Sequence, residues 1–211
     1  MTPTREEMYS SLAQRHGAEM QRKLSEASAA VCGLGGLGSN IAITLARAGV
    51  GHLHIIDFDT VDISNLNRQQ YFPDQIGLPK TEALRDTLSR LAPYCDIRTD
   101  TVKLTPENIP ELLRDDPIIC EAFDSAEQKA MLVNTVLEQL PEKYLVAGSG
   151  MAGLYSANMI RTRRLGSRFY LSGDGVNGVA EGEGLFASRV MICAAHQAHM
   201  VIRLIAGETD C

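Results

Sequence analysis

Apolar residues recur along this chain with two different spacings, and each spacing predicts a type of element. In residues 5–24, Met8, Leu12 and Met20 stand at helical multiples with charged residues between them. This pattern predicts an amphipathic leading helix within residues 1–24. Short apolar runs bounded by glycine, proline or charged residues predict strands. These predicted strands are residues 28–32, 53–56, 97–102, 118–123 and 144–147.

Helices are predicted between these strands. One is expected to be capped by Ser39 or Asn40 and to end at Gly49. Two further helices are predicted at residues 80–91 and 125–140, where leucines and other apolar residues share one helical face. Strands and helices that alternate in this way predict an α/β fold with a Rossmann-like open, mostly parallel sheet and helices on both faces.

The pattern changes after residue 148. Residues 157–163 and 169–171 are typical of antiparallel strands, so a short antiparallel extension of the sheet is expected. Five glycines within residues 173–187 predict a flexible stretch. Residues 190–206 predict a buried C-terminal helix that is too short and too polar to span a bilayer. The whole chain, 1–211, is predicted to form a single domain.

Charge and cysteine content exclude several classes of protein. The 211 residues include 20 Lys and Arg against 26 Asp and Glu, a net charge of −6, so neither a nucleic acid nor a membrane is an expected partner. The first 24 residues contain no apolar signal segment, and we therefore expect a cytoplasmic protein. Five scattered cysteines without a C-x-x-C pair predict neither a disulfide framework nor a structural zinc site.

A glycine-rich turn is the first candidate for chemistry. Gly33, Gly35 and Gly38 form a G-x-G-x-x-G pattern between a predicted strand and a predicted helix. Backbone N–H groups and a helix N-terminus in this context favour a bound phosphate over a merely tight turn. Asp57 ends the next predicted strand, where a carboxylate can accept hydrogen bonds from a ribose. These residues alone favour a nucleotide site but do not distinguish NAD from ATP.

The segment downstream favours ATP. Arg68 and Lys80 are cations able to neutralise a triphosphate, and Asp124 is a carboxylate at a strand end that can hold Mg²⁺. Taken singly, Arg68 could be a surface ion pair, Lys80 a solvated helix residue and Asp124 only a helix cap.

Taken together, these motifs resemble the ThiF/MoeB/HesA family of ubiquitin-activating-like adenylyltransferases. The resemblance is carried by the run GLGGLGSN, the D-x-D-x-V-x-x-S-N-L-x-R-Q segment that starts at Asp57, the G-x-P-K motif that ends at Lys80, and the later Asp124. Residues 148–153 and 184–198 are similar to the short ThiF branch. The resemblance implies a leading helix, a nucleotide-binding core over residues 28–148, and a crossover segment with a C-terminal helix over 149–211.

The same resemblance implies an ATP site with Mg²⁺. Lys80 would steady the reacting α-phosphate, and Asp124 would position the metal. Family members are commonly homodimers in which an arginine from the partner's N-terminal helix reaches the triphosphate, and Arg15 is the candidate, with Arg5 and Arg22 as alternatives. The remaining residues implied at the nucleotide are Gly33, Gly35, Gly36, Gly38, Asp57, Asp59, Ser64, Asn65, Arg68 and Gln69.

The implied reaction is ATP-dependent adenylation of the C-terminal Gly-Gly carboxylate of a ubiquitin-like sulfur carrier protein of the ThiS type, in thiamine biosynthesis, with release of pyrophosphate. Residues 173–184 would clamp the carrier's tail. No cysteine lies between residues 163 and 187, so a covalent sulfur step on this chain is not expected, and Cys193 is interpreted as a packed hydrophobe. The alternatives are adenylation of a small-molecule carboxylate, an NAD-binding redox or sensor protein, and a non-catalytic scaffold.

Overall fold

The computed structural model describes residues 2–178 and 183–211. Its strands are β1 (Ser28–Cys32), β2 (His52–Ile56), β3 (Asp96–Asp100), β4 (Ile118–Glu121), β5 (Tyr144–Gly148), β6 (Arg161–Arg164) and β7 (Phe169–Gly173). They form a seven-stranded sheet in the order β3-β2-β1-β4-β5-β7-β6. Neighbouring strands pair in parallel, except that β6 and β7 are antiparallel. The predicted Rossmann-like sheet with an antiparallel extension is therefore confirmed.

Helices cover both faces of this sheet. They are α1 (Arg5–His16), α2 (Ala18–Glu26), α3 (Gly36–Ala48), α4 (Lys80–Leu91), α5 (Ile109–Leu112), α6 (Ala126–Gln139) and α7 (Ala187–Ala206). Side chains of α2, α3, α4 and α7 form the apolar core on one face, with Leu45 and Val201 among its fully buried members. Side chains of α5 and α6 form the core on the other face. No helix of the described residues is long and apolar enough to cross a membrane.

The leading segment differs from its prediction. Instead of one helix over residues 5–24, two helices meet at Gly17, whose φ of 93° places it in a region that L side chains rarely adopt. None of the twelve side chains of α1 is buried, whereas α2 buries Gln21 and Leu24. The apolar residues keep their helical spacing on both sides of Gly17. The glycine itself is therefore the only feature of the sequence that indicates the break between the two helices.

The start of α3 also differs. Ser39 and Asn40 do not cap this helix, because it begins earlier, at Gly36, with Gly35 as its N-cap. Ser39 and Asn40 are the fourth and fifth residues of α3. Their side chains donate to carbonyl oxygens four residues back, Ser39 Oγ to Gly35 and Asn40 Nδ2 to Gly36, each at 2.7 Å. No side chain caps the helix, so the N-terminal N–H groups face the space beside the glycine turn.

Other boundaries shift by a few residues. Helix α4 has the predicted bounds, and α7 begins three residues before its prediction. The strand predicted at 157–163 is wrong in its first half, because Ala157–Met159 form a short 3-10 helix before β6 begins. The flexible stretch predicted at 173–187 includes residues 179–182, which lie outside the described residues, and its first residue belongs to β7.

A crevice lies between the carboxyl ends of strands β1 and β4. Strands β1 and β4 are parallel neighbours, yet α3 follows β1 onto one face of the sheet and α6 follows β4 onto the other. Between the carboxyl ends of two such strands, the connections diverge and leave a space, which is where open α/β sheets bind their ligands.

Candidate active site

A cavity of about 770 Å³ occupies this crevice. The segments that follow β1, β2, β4 and β5 form its walls. Each segment contributes lining residues, for example Gly33, Asp57, Asp124 and Ser149, in the order of the strands. The volume is within the range of sites for cofactor-sized molecules. The cavity therefore joins segments that are far apart in the sequence.

The glycine turn forms the floor of this cavity. Gly33 has a φ of 91°, and a Cβ on Gly36 would lie 2.9 Å from Val190 Cγ1 and 3.3 Å from Arg68 Cγ. A Cβ on Gly35 would meet nothing nearer than Gln69 Nε2 at 3.7 Å, so it would project toward open cavity. The turn thus leaves its backbone accessible beside the uncapped start of α3, as an anion site requires.

Gly38 has a different position. It lies inside α3 and does not line the cavity. A Cβ at Gly38 would overlap the carbonyl oxygen of Gly33. The third glycine of the pattern therefore closes the turn against its own helix and does not contact the cavity.

Asp57 holds the glycine turn in place. Its Oδ2 accepts from the backbone N–H of Leu34 at 2.6 Å, and its Oδ1 accepts from that of Asp59 at 2.8 Å. Burial raises the pKa of Asp57, while nearby Lys80 and the two backbone N–H groups lower it. Each carboxylate oxygen has a second lone pair that these two bonds leave free, and Asp57 lines the cavity.

Lys80 is a buried cation at the first residue of α4. Its Nζ donates to Asp59 Oδ2 at 2.9 Å, and only 5 % of Lys80 is exposed, whereas the Asp59 side chain is 49 % exposed. Both residues line the cavity. A cation at the start of a helix opposes the helix dipole, so Lys80 needs an anion in this position.

The segment after β2 forms one side of the cavity with Asn65, Arg68 and Gln69, whereas Ser64 does not line it. Arg68 forms no salt bridge with any described residue; its Nη1 donates to Ser64 O and Asn67 Oδ1. Gln69 is 93 % buried, and its Oε1 has no hydrogen-bond partner among the described residues. The hydroxyl of Ser64 donates to Asp62 Oδ1 at 2.6 Å.

Asp124 lies across the cavity from this segment. It follows β4, is exposed, and lines the cavity two residues before α6 begins. Ser125 caps α6 by accepting from Gln128 N, so the cap role considered for Asp124 belongs to its neighbour. Within residues 2–178 and 183–211, no group of three or more His, Cys, Asp or Glu side chains could hold a metal by itself.

Like Gly38 and Ser64, the predicted site residue Arg15 lies away from the cavity, and so does Cys193. Arg15 is exposed on α1 and does not line it. Cys193 is buried in α7 and donates to Ser172 O, and burial raises the pKa of its thiol to about 12. A thiol in this state is a poor nucleophile, in accord with its interpretation as a packed hydrophobe.

Sequence reasoning missed a polar cluster beside Asp124. Glu121 at the end of β4 is 99 % buried, and Lys129 of α6 donates to both of its carboxylate oxygens, at 3.0 and 3.1 Å, and to Gly148 O at 2.8 Å. Burial raises the pKa of Glu121, and Lys129 lowers it. Gln197 of α7 donates to Glu121 O. This cluster joins the ends of β4 and β5, and Lys129 lines the cavity.

A second missed feature is a buried ion pair behind the cavity. Arg189 Nη2 donates to Asp174 Oδ2 at 2.6 Å, and both side chains are at least 96 % buried. Arg189 also donates to Ala152 O and Tyr155 O. Burial raises the pKa of Asp174, but hydrogen bonds from Arg189 and Asn177, among others, outweigh it and hold that pKa well below its ordinary value. The pair joins α7 to the residue that follows β7, and the two carbonyl contacts join α7 to the segment after β5.

Comparison with solved structures supports the fold. The crystal structure of E. coli tRNA N6-threonylcarbamoyladenosine dehydratase, TcdA, in complex with ATP matches with a TM-score of 0.87 and 20 % identity. The match covers 98 % of each chain. At this identity the likeness shows a shared architecture and nothing more.

Curated relatives are more similar in sequence over part of the chain. The sulfur carrier protein ThiS adenylyltransferase of Bacillus subtilis is 41 % identical over 133 residues, which are 61 % of this chain and 39 % of the relative. The adenylyltransferase and sulfurtransferase MOCS3 of Culex quinquefasciatus is 36 % identical over 136 residues, 64 % of this chain and 31 % of the relative. The chain thus matches well under half the length of these relatives.

A protein-family comparison covers almost the whole chain. The model of the ThiF family matches residues 9–210, a span that includes the glycine turn, the Asp57 to Lys80 segment, Asp124 and the crossover region. The residues that carried the sequence resemblance all fall inside this match. The chain belongs to the ThiF family.

Proposed function

We propose that this protein uses ATP to adenylate the C-terminal Gly-Gly carboxylate of a ubiquitin-like sulfur carrier protein of the ThiS type. The observation that carries the proposal is the cavity of about 770 Å³, in which an open glycine turn faces Arg68, Lys80 and Asp124. Family membership and relatives named as adenylyltransferases support the same reaction class.

The nucleotide would lie across the crevice with its phosphates over the glycine turn. Backbone N–H groups at the start of α3 can donate to phosphate oxygens, because no side chain occupies them. Asp57 lines the cavity with free lone pairs for ribose hydroxyls. The guanidinium of Arg68, which forms no salt bridge with any described residue, lines the same space.

The adenylation step needs little acid or base catalysis. A carboxylate is ionised at neutral pH, attacks the α-phosphorus in line, and displaces pyrophosphate from it, which leaves an acyl-adenylate. Negative charge develops on the departing oxygen, so fixed cations give the main stabilisation. Arg68 and Lys80 supply these cations on one side of the cavity.

Asp124 fits a role as a magnesium ligand. Mg²⁺ in nucleotide sites is commonly held by one or two carboxylates, with phosphates and waters as the remaining ligands, so one exposed aspartate in the cavity is sufficient from the protein. When bound, the metal would neutralise phosphate charge. Asp124 lies three residues after Glu121, whose buried carboxylate is paired with Lys129.

The acceptor's tail would enter past the segments after β5. Ser149 and Gly150, which follow β5, line the cavity, and so does Gly178, which follows β7. A Gly-Gly tail has no side chains, so it could follow a path too narrow for bulkier residues. The clamp predicted at residues 173–184 includes residues 179–182, which lie outside the described residues. Its binding of the tail therefore stays a prediction.

An ATP–pyrophosphate exchange assay tests the proposal. Exchange should require a Gly-Gly-ended ThiS-type carrier and disappear when the two glycines are removed, with mass spectrometry detecting the carrier adenylate. Exchange that depends on a small carboxylate and ignores every carrier would favour small-molecule activation. Copurified NAD together with no exchange at all would contradict adenylation.

A further inference from the structure

A second cavity of about 250 Å³ opens beside the edge strand β6. It is lined by Met159, Arg161, Arg163, Gly173 and Asp174. None of these residues lines the larger cavity. The second cavity is thus separate from the candidate active site and has no role in the reaction derived above.

Two arginines give this cavity its chemistry. Arg161 and Arg163 are two positions apart on β6, so both side chains leave the same face of the strand. Both are exposed, and neither forms a salt bridge or a side-chain hydrogen bond with the described part of the chain. Two guanidinium groups without a partner among the described residues are notable in a chain with a net charge of −6.

The cavity's own aspartate does not neutralise them. The carboxylate of Asp174 is 99 % buried and accepts from Arg189 and from the N–H groups of Val176 and Asn177. Gly175 makes room for the second arginine, because a Cβ on Gly175 would lie 2.6 Å from Arg163 Nη2. The described residues therefore give this cavity a net positive charge.

Two backbone hydrogen bonds connect the segments that line the two cavities. Asp174 N donates to Gly150 O, and Gly175 N donates to Ser149 O, each at 3.1 Å. Ser149 and Gly150 line the larger cavity, whereas Asp174 lines the smaller one. A ligand that inserts a tail past Ser149 and Gly150 would place the body attached to that tail beside β6.

We propose that Arg161 and Arg163 bind carboxylate side chains on the folded body of the protein acceptor, while the acceptor's tail occupies the ATP cavity. The assignment rests on the proposed function. A guanidinium group forms bidentate hydrogen bonds with a carboxylate, which an ammonium group cannot do. The acidic charge of the chain as a whole opposes an extended nucleic acid on the same surface.

Charged edge strands have another known use, since they prevent sheets from pairing edge to edge. Protection against edge-to-edge pairing requires only charge, so lysines at these positions would provide it equally well. Docking of carboxylates depends on the guanidinium geometry and would weaken with lysine. The two explanations therefore make different predictions for the Arg161→Lys/Arg163→Lys variant.

The test compares a whole carrier with its tail. In the Arg161→Gln/Arg163→Gln variant, KM for a Gly-Gly-ended carrier should rise about tenfold, with kcat within about twofold of wild type. KM for a short peptide ending in Gly-Gly should not change. The double lysine variant should show an intermediate rise. Arg85→Gln, which removes one exposed charge from α4, is the control and should leave both KM values unchanged.

Three results would overturn the docking site. These are an unchanged KM for the carrier, an equal rise for the peptide, and loss of RNA binding in place of carrier binding. If the wild type fails to adenylate any carrier, the proposed function fails by itself. Calorimetric titration of wild type and variant with the intact carrier then still decides whether the two arginines bind it.

Discussion

The ammonium group of Lys80 lies 2.9 Å from the carboxylate of Asp59, and the cation is buried while the anion is half exposed. This asymmetry matters for the reaction. A buried ammonium group is poorly hydrated, so an incoming phosphate can attract it more strongly than it could attract a surface lysine. Asp59 holds the ammonium group of Lys80 in this position by the hydrogen bond to its Oδ2.

Replacement of Lys80 should therefore affect turnover far more than folding. We expect Lys80→Ala to lower carrier-dependent pyrophosphate exchange about a hundredfold or more, because it removes a cation aimed at developing charge. The remaining Asp59 is 49 % exposed, so water can solvate it and the melting temperature should change little. Exchange at the wild-type rate would show that Lys80 has no part in the reaction.

Asp124→Asn should change the magnesium requirement. The amide is a weaker ligand for a hard cation, so the Mg²⁺ concentration that gives half-maximal exchange should rise on the order of tenfold or more. Glu127→Gln is a matched control, since Glu127 is exposed in the first turn of α6 but does not line the cavity. Equal magnesium dependence in both variants would remove Asp124 from the metal site.

Two glycines of the turn should respond differently to alanine. Gly38→Ala should destabilise the fold by about 2 kcal/mol or more, because its Cβ would overlap Gly33 O. Gly35→Ala should fold, since its Cβ meets nothing nearer than 3.7 Å, yet weaken ATP binding by entering the cavity. Chemical denaturation and calorimetry measure these two effects. A stable Gly38→Ala protein would contradict the assigned packing role.

The Asp174–Arg189 pair predicts a pH dependence of stability. The pKa of Asp174 is lowered in the folded protein, so its contribution is complete above the unfolded value of about 3.9 and is lost as the pH falls below it. Asp174→Asn should therefore reduce the slope of unfolding free energy against pH between about pH 4 and pH 2. An identical slope in both proteins would rule out this contribution.

Removal of the cation from the same pair should be costly. Arg189→Met leaves the carboxylate of Asp174 buried without its partner, and we expect a loss of about 3–5 kcal/mol in unfolding free energy. The double variant with Asp174→Asn should recover part of that loss. If the two single changes simply added, the ion pair would not be the source of the effect.

A role for Arg15 in a second subunit can be tested by complementation. If a homodimer forms and Arg15 acts across it, Arg15→Ala and Lys80→Ala should each be inactive alone. A mixed dimer would contain one intact site, so mixing the two proteins should restore exchange. No recovery in mixtures shown by native mass spectrometry to contain mixed dimers would contradict action across subunits.

The sequence was most informative where periodicity and backbone chemistry agreed. Helix α4 has its predicted bounds, because its leucines repeat on one face and proline ends the pattern. The start of α3 was placed wrongly, since Ser39 and Asn40 are good capping residues by type but donate back into the helix. Side-chain preference could not reveal that the glycines themselves begin the helix.

The polar residues that support the site were harder to predict. Lys129 is a cation in the first turn of α6, an unfavourable place that signals an anion nearby, but its partner Glu121 is adjacent only in the folded sheet. Arg189 and Asp174 are 15 residues apart across undescribed chain, and no periodicity links them. Such pairs depend on strand order, which the spacing of motifs does not specify.

Helix α1 contributes no buried side chain to either face of the sheet. A chain cut at the Gly17 bend would keep the whole apolar interior described for α2 to α7 and the strands. Selection for a stable monomer would act only weakly on such a helix. If the protein forms the homodimer that the resemblance implies, changes in α1 should alter its assembly before they alter its melting temperature.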